Sequence, residues 1–469
     1  MHGSEAMLQA LGSGNRLPSK ISTMVIAVIF LTAAAPLLSA RELEPSLDIV
    51  SPVEPPGSGQ SSRSDTGFVP DQSGRMPDSE RFLFFKQRPS APSFGDAAFG
   101  LCDHECAGSK LIGALFDRDH GVCLEPVYYG EIFTNARGGI STRNATRYEA
   151  LLDLPLTVDF QQLRWALPGR FFVRAQNTHG RGLTTEFIGD YQVVSNIDSF
   201  RNIMQVSEYW WEMDFFDQRL AVRLGKQDVN TKFLVLDLAR DFIHSSFGLS
   251  PTAGLPSYPD PSMAAVVMAQ LSESLELKVG IWDAFGRGGS WGFSDNETTV
   301  TMGELEYSYS LFDGCLPGVV DVGVAYFSGG EISGQVYPWR RSHYLQIEQL
   351  VLREEAGAEG EPQGLGAFAR YSARYGTRDL PITSVWEEFL VGIVYRGPIP
   401  RRDEDIVGAG IAWAKLSQNG ALQETVVDVF YKAALRPWLS VQPDIQYIAN
   451  PSGVHRDALA IGIRFEIAL

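Results

Sequence analysis

Thr425-Val-Val-Asp-Val-Phe-Tyr-Lys-Ala-Ala-Leu-Arg-Pro-Trp-Leu-Ser-Val-Gln-Pro-Asp-Ile-Gln-Tyr-Ile-Ala-Asn450, followed by Ala458-Leu-Ala-Ile-Gly-Ile-Arg-Phe-Glu-Ile-Ala-Leu469, reads as three β-strands with lipid on one face and water on the other. In the last of them Leu459, Ile461, Ile463, Phe465, Ile467 and Leu469 share one face, while Ala460, Gly462, Arg464, Glu466 and Ala468 share the other. Period-two alternation puts every second side chain on the same side of a sheet. Carried to the last residue, it is the pattern with which a transmembrane β-barrel closes. A soluble sandwich alternates too, so the reading rests on repetition along the chain.

That repetition is present. Segments of about ten residues with β-branched and aromatic content fall near 122–134, 146–159, 169–178, 205–215, 218–226, 264–271, 275–283 and 300–311, and again near 319–327, 343–351, 366–374, 386–395, 406–415, 425–433, 438–447 and 458–469. Sixteen is even, as a single-chain outer-membrane barrel with both termini in the periplasm requires. Counted back from a periplasmic C-terminus, Phe216-Asp217, Ser272-Glu273-Ser274, Asp313 to Gly318 and Leu435-Arg436-Pro437 are tight periplasmic turns, and the long connections 179–204, 227–263 and 284–299 fall outside. The periplasmic connections 352–365 and 396–405 are longer than the pattern expects. The predicted fold is therefore all-β: a closed, antiparallel transmembrane β-barrel of about sixteen strands over residues 106–469.

The 469 residues are 44% hydrophobic with a mean hydropathy of −0.06, so the chain is no bundle of apolar helices. Ile21 to Leu38 follows Arg16 and Lys20 and ends at Leu38-Ser39-Ala40, which describes a secretory signal peptide over 1–40; the other reading is an anchor helix. The long basic flank leaves Met7 and Met24 as alternative starts. Residues 41–105 are rich in Pro, Ser, Gly and Asp and read as a flexible periplasmic leader. A net charge of −17 argues against nucleic acid as a partner. Of the four cysteines, Cys102, Cys106 and Cys123 could supply one disulfide and Cys315 stands alone. His104 between Cys102 and Cys106 is too small a donor set to predict a metal site.

Because the hydrocarbon layer holds no water, a spanning sheet closes and turns its apolar side chains outward. Parity then assigns the lumen. Tyr209, Trp211, Met213 and Phe215 face lipid and Glu208, Trp210 and Glu212 face in; Leu220, Val222 and Leu224 face out and Arg219, Ala221 and Arg223 in. Leu275, Leu277, Val279 and Ile281 face out, opposite Glu276, Lys278, Gly280 and Trp282; Leu439, Val441, Ile445 and Tyr447 face out, opposite Ser440, Gln442, Asp444 and Gln446. A lumen with both charge signs, amides and indoles suits sugars: the polar groups bond hydroxyls in both directions and an indole can stack on a pyranose. The candidate solute-binding set is Glu208, Trp210, Glu212, Arg223, Lys278, Trp282, Arg370, Asp444, Gln446 and Arg464; such residues also line any wet pore. The connection 227–263 is long enough to fold into the barrel mouth, where Asp228, Asn230, Lys232, Asp237, Arg240 and Asp241 would form part of a constriction; the alternative is a loop over the outer surface.

Gly189-Asp-Tyr-Gln-Val-Val-Ser-Asn-Ile197, Glu208-Tyr-Trp-Trp-Glu212 and Phe215-Phe-Asp-Gln-Arg-Leu-Ala-Val-Arg-Leu-Gly-Lys-Gln-Asp-Val-Asn230 closely resemble the carbohydrate-selective porin (OprB-type) family. So do Phe242-Ile-His-Ser-Ser-Phe-Gly248, Val394-Tyr-Arg-Gly-Pro-Ile-Pro-Arg-Arg-Asp-Glu-Asp405 and Pro437-Trp-Leu-Ser-Val-Gln-Pro-Asp-Ile-Gln-Tyr-Ile-Ala-Asn-Pro451. The resemblance spans roughly residues 110 to 469. It implies a sixteen-stranded channel in the outer membrane of a Gram-negative-type bacterium, passing monosaccharides such as glucose by facilitated diffusion, without cofactor or energy source. Its partners would be the sugar, outer-membrane lipid and the barrel-assembly machinery, as a monomer or homotrimer. Two departures stand out: no clear Trp-Gly-Gly-like element around Cys106 to Phe116, and Leu469 where such barrels often end in an aromatic, a role Phe465 could share.

Three rival readings carry less. A barrel hydrolase needs a Ser–His pair with an orienting group, and His179, His244 and His343 all fall at or near connections. A propeller needs a blade repeat, and none is found. A general or anion-preferring porin is the main alternative, since Arg223, Arg370 and Arg464 could form an inward cationic ladder.

Overall fold

The structure, a computed structural model, describes residues 121–468 except 165–166, 253–254, 285–297, 313–315, 333–334, 338, 355–362, 377–384 and 417–419. The expected signal segment, the leader, Cys102, His104, Cys106 and Cys315 lie outside those residues. Sixteen strands carry the fold: β1 Val127–Gly139, β2 Thr146–Asp159, β3 Arg170–Gly180, β4 Ile203–Phe215, β5 Leu220–Gln227, β6 Ser262–Ser272, β7 Leu275–Asp283 and β8 Thr299–Leu311. They continue with β9 Leu316–Phe327, β10 Arg340–Arg353, β11 Gly364–Gly376, β12 Glu387–Arg396, β13 Ile406–Lys415, β14 Gln423–Arg436, β15 Leu439–Ala449 and β16 Arg456–Ala468. Each pairs antiparallel with its neighbours in sequence, and β16 pairs with β1, so the sheet has no free edge. Closure is what lets every backbone N–H and C=O be satisfied without water.

The seam is tight. Phe465 of β16 faces Gly130 of β1, and a Cβ at Gly130 would lie 2.3 Å from the Phe465 ring, so only glycine fits there. The outward face is apolar as parity requires: Leu224, Val279, Ile281, Ile445, Ile461 and Ile463 are exposed, while Glu208, Arg223, Lys278, Gln442 and Arg464 are buried.

One boundary differs from expectation. The first segment is not a single strand over 122–134. Val122–Leu124 pairs with Leu156–Val158 of β2, and the barrel strand starts only at Val127. Pro126 separates the two pieces: it has no N–H to give a ladder, so the pairing partner changes there.

Connections alternate in length. At one end, Phe216, Asp217 and Gln218 turn with φ of 54°, 53° and 65°, and β6–β7 and β14–β15 are joined by two residues each. Three longer connections lie at this end, at 160–169, 354–363 and 397–405. The last is ordered around buried Asp405, which accepts from Arg402, from Tyr431 and from the Ala434 N–H at 3.0 Å. At the opposite end the connections 181–202 and 228–261 are long, and both turn inward.

Candidate functional site

A loop inside a barrel must find partners for its own backbone as well as its side chains. Among the described residues of 228–261 the wall supplies several of them. Asp228 caps a single turn at Val229–Thr231 by accepting from Asn230 N–H. Leu234 N–H then donates to Glu304 of β8 at 2.9 Å, and Leu238 N–H to Glu348 of β10 at 2.6 Å. Gln346 donates to the Val235 carbonyl at 2.6 Å and Gln442 of β15 to the Asp241 carbonyl at 2.7 Å. His244 N–H reaches Asp428 of β14 at 3.2 Å, and Arg370 of β11 donates to the carbonyls of Ser246 and Gly248 at 3.0 Å each. Carboxylates take the loop's N–H groups and amides or guanidinium take its carbonyls. The loop therefore crosses the interior instead of lying over the outer surface.

An apolar contact pins its middle. Phe242 stacks on Phe247 at 4.2 Å and meets Phe368 and Phe430 edge-on at 5.5 and 4.9 Å. The pair lies over Gly410 of β13, where a Cβ would sit 2.5 Å from Phe247 and 3.0 Å from Phe242. A side chain at 410 would hold the loop off the wall.

The connection 181–202 forms a second inward layer. Glu424 of β14 accepts from Tyr191 N–H at 2.8 Å, Gln192 N–H at 2.9 Å and Ser452 N–H at 2.6 Å. Gln446 donates to the Val194 carbonyl at 3.0 Å and Arg464 to Asn196 Oδ1 at 2.7 Å. The two loops are also tied to each other. Asn196 donates through N and Nδ2 to the carbonyls of Ile243 and Phe242, at 2.9 and 3.1 Å, and Tyr258 Oη donates to the Ile197 carbonyl at 2.7 Å.

All ten residues expected to bind solute lie on the inward side, as parity required. All ten are also buried, because the two loops occupy much of the interior. Arg223 Nε bonds Glu212 at 2.7 Å, and Glu212 also takes Arg170 at 2.6 Å. Glu208 pairs with Arg174 and accepts from Asp228 N–H at 3.0 Å. Lys278 lies 2.8 Å from both Glu304 and Glu306; Arg370 bonds Glu388 at 3.1 Å; Arg464 bonds Glu131 at 2.6 Å. Asp444 and Gln446 bond each other at 3.0 Å. Trp210 is stacked on Phe172 at 4.8 Å with the Arg223 guanidinium 3.7 Å from its ring centre, and Trp282 packs edge-on against Phe233 at 5.3 Å. Neither indole offers the open face expected from the sequence, because parity reports a side of the sheet and not what covers it.

The constriction set divides. Asp228 and Asn230 turn back into the loop, Asn230 donating to the carbonyls of Phe233 and Leu234 at 3.2 and 3.3 Å. Asp237, Lys232, Arg240 and Asp241 stay partly open. Arg240 keeps 26% of its side chain exposed and Asp241 12%, beside Lys432 at 22% and Glu466 at 26%. Lys432 bridges Asp241 at 2.9 Å and Glu466 at 2.8 Å. Burial alone would raise the Asp241 carboxyl, but Lys432 and Arg240 hold it down at about 2. Lys432 and Glu466 were missed as candidates, although they share the inward parity of Asp428 and Arg464. Glu304, Glu306 and Asp321 bring carboxylate oxygens within 4.8 Å of one another, but the Lys278 ammonium already sits on the two glutamates, which leaves no reason to place a metal ion there.

Comparison with known proteins agrees with this geometry. The family described as carbohydrate-selective porin, OprB family, matches residues 143–469. Porin B of Pseudomonas aeruginosa is 22% identical over 411 residues, covering 75% of this chain and 88% of that protein. The high-pH structure of Pseudomonas putida OprB superposes with a TM-score of 0.67 at 20% identity, over 79% of this chain and 98% of that one; the low-pH structure gives 0.50 at 18%.

Proposed function

The chain belongs to the carbohydrate-selective porin (OprB) family, and from that premise we propose that it passes small neutral sugars, monosaccharides such as glucose, through a lumen narrowed by the loops 181–202 and 228–261. It is an outer-membrane channel for carbohydrate diffusion, with the long-loop end outside and the short-turn end in the periplasm. We assign it no catalytic step: its work is selection of a solute moving down its gradient.

The observation that carries the preference for neutral solutes over anions is the pairing of the lumenal cations. Arg223, Lys278, Arg370 and Arg464 are each within 3.1 Å of a carboxylate. A cationic ladder attracts anions only while its charges are uncompensated. Pairing keeps these cations in the lumen as hydrogen-bonding groups without an uncompensated positive field. In this reading the buried pairs frame the passage and the half-open strip of Asp237, Arg240, Asp241, Lys432 and Glu466 meets the hydroxyls. Donors and acceptors of both kinds then replace the water a sugar loses on entry.

Liposome swelling with the refolded protein tests this. Glucose entering faster than an amino acid or an anion of matched size supports the proposal. Rates ordered by size alone would make it a general porin, and faster entry of anions an anion-preferring one.

A further inference from the structure

On the outward face of the sheet, at the long-loop end, two basic side chains stand among exposed tyrosines. Arg341 is the second residue of β10, Tyr326 the last but one of β9 and Tyr375 the last but one of β11. The register sets Arg341 opposite Tyr326 on one side and Tyr375 on the other, and His343 opposite Val324 and Ala373. Side chains opposite each other in a sheet start about 5 Å apart and share a face. Buried Ser342, Tyr344 and Gln346 mark the inward parity of β10, so Arg341 and His343 point the other way, and both are exposed together with Tyr326 and Tyr375. The Arg341 guanidinium lies 5.8 Å from the Tyr375 ring centre, and the His343 imidazole stacks on that same ring at 5.1 Å.

No carboxylate answers Arg341. The side chains opposite Arg341 and His343 are two tyrosines, a valine and an alanine. Among the described residues the Arg341 guanidinium enters no ion pair and no hydrogen bond. Further round the same rim Lys415 of β13 is bridged by Glu387 of β12 at 2.7 Å, so that charge is matched within the wall. An arginine at the edge of the hydrocarbon layer costs little, because its head reaches the interface. Left unmatched there, it keeps its N–H donors available.

The geometry points to a phosphate-binding site for an acidic glycolipid of the outer leaflet, seated on Arg341 and His343. The long-loop end lies outside, so this rim meets the headgroups of that leaflet. A guanidinium takes two phosphate oxygens in a forked pair of bonds, and an imidazole of either charge state has a further N–H to give. The Tyr375 ring holds both basic groups on one side of the sheet. Tyr326 and Tyr375 add hydroxyls for the sugar part of the headgroup. A lipid bound here bridges β9, β10 and β11 from outside. The site is on the lipid face, so it does not depend on which solute passes the lumen.

The test uses the refolded barrel in a non-ionic detergent. Its probes are phosphorylated lipid A, the same lipid dephosphorylated, and inorganic phosphate, with retained lipid read by native mass spectrometry. The wild type should retain the phosphorylated lipid and little of the dephosphorylated one. Arg341→Gln combined with His343→Gln should weaken retention about tenfold or more. Arg143, an exposed arginine of the β1–β2 hairpin on the far side of the barrel, is the control, and Arg143→Gln should leave retention unchanged. Equal retention of the two lipids, or an equal loss with Arg143→Gln, overturns the proposal. Displacement of the lipid by inorganic phosphate at comparable concentration makes this a free-anion site and overturns the headgroup assignment. The comparison of the two lipids needs the wild type alone, so it decides the question even where the double variant fails to assemble. Lipid retention and sugar swelling are separate readouts, so failure of one is distinct from failure of the other.

Discussion

The Arg223 guanidinium lies 3.7 Å from the centre of the Trp210 ring. On its other side Arg223 bonds Glu212, and Phe172 stacks on Trp210 at 4.8 Å. Trp210 is therefore part of a packed wall. Trp210→Ala removes a buried indole and opens a cavity, at a cost of about 3–5 kcal/mol. It also leaves Arg223 without its aromatic support. The variant should shift to its unfolded gel mobility at a lower temperature than wild type, and sugar flux and ion conductance should change together. A change in selectivity among sugars at unchanged conductance would instead show that the indole touches solute.

Arg370 separates stability from loop position. It bonds buried Glu388 and the carbonyls of Ser246 and Gly248. Arg370→Ala leaves Glu388 uncompensated, which costs about 3–5 kcal/mol, and frees the loop. In the double variant Arg370→Ala with Glu388→Gln the stranded charge is gone but the loop is still unheld. Thermal stability, measured by heat-dependent gel mobility, should recover. Single-channel conductance should stay above wild type in both.

Gly410→Val tests the apolar anchor alone. With a Cβ at 410 meeting Phe247 at 2.5 Å, the Phe242–Phe247 pair must move off the wall. No charge is altered. The expected result is a larger conductance with unchanged ion selectivity, read from the reversal potential in a salt gradient.

Asp241 predicts where acid acts. Its carboxyl is held at about 2, below the ordinary value of about 3.9. A depressed folded value means that its contribution to holding the loop, about 2–3 kcal/mol, is complete above the ordinary value and is lost as pH falls through the folded one. Glucose swelling rates should therefore show no change from this contact between about pH 5 and neutrality, and a change only below about pH 4. Asp241→Asn should remove that acid change.

The alternation of Leu459, Ile461 and Ile463 with Ala460, Gly462 and Arg464, repeated along the chain, is enough to determine the barrel and the facing of its residues. A strand in lipid can satisfy its backbone only by closing, and period two is then forced on it. The same periodicity could place Trp210, Arg370 and Arg464 inside but could not tell whether they meet a solute. What covers them is decided by 181–202 and 228–261, which carry no periodic pattern. Their docking depends on contacts such as Arg464 with Asn196 and Glu424 with Tyr191, 268 and 233 residues apart in sequence. A local pattern constrains which way a side chain points. What fills the space in front of it is a property of the whole folded chain.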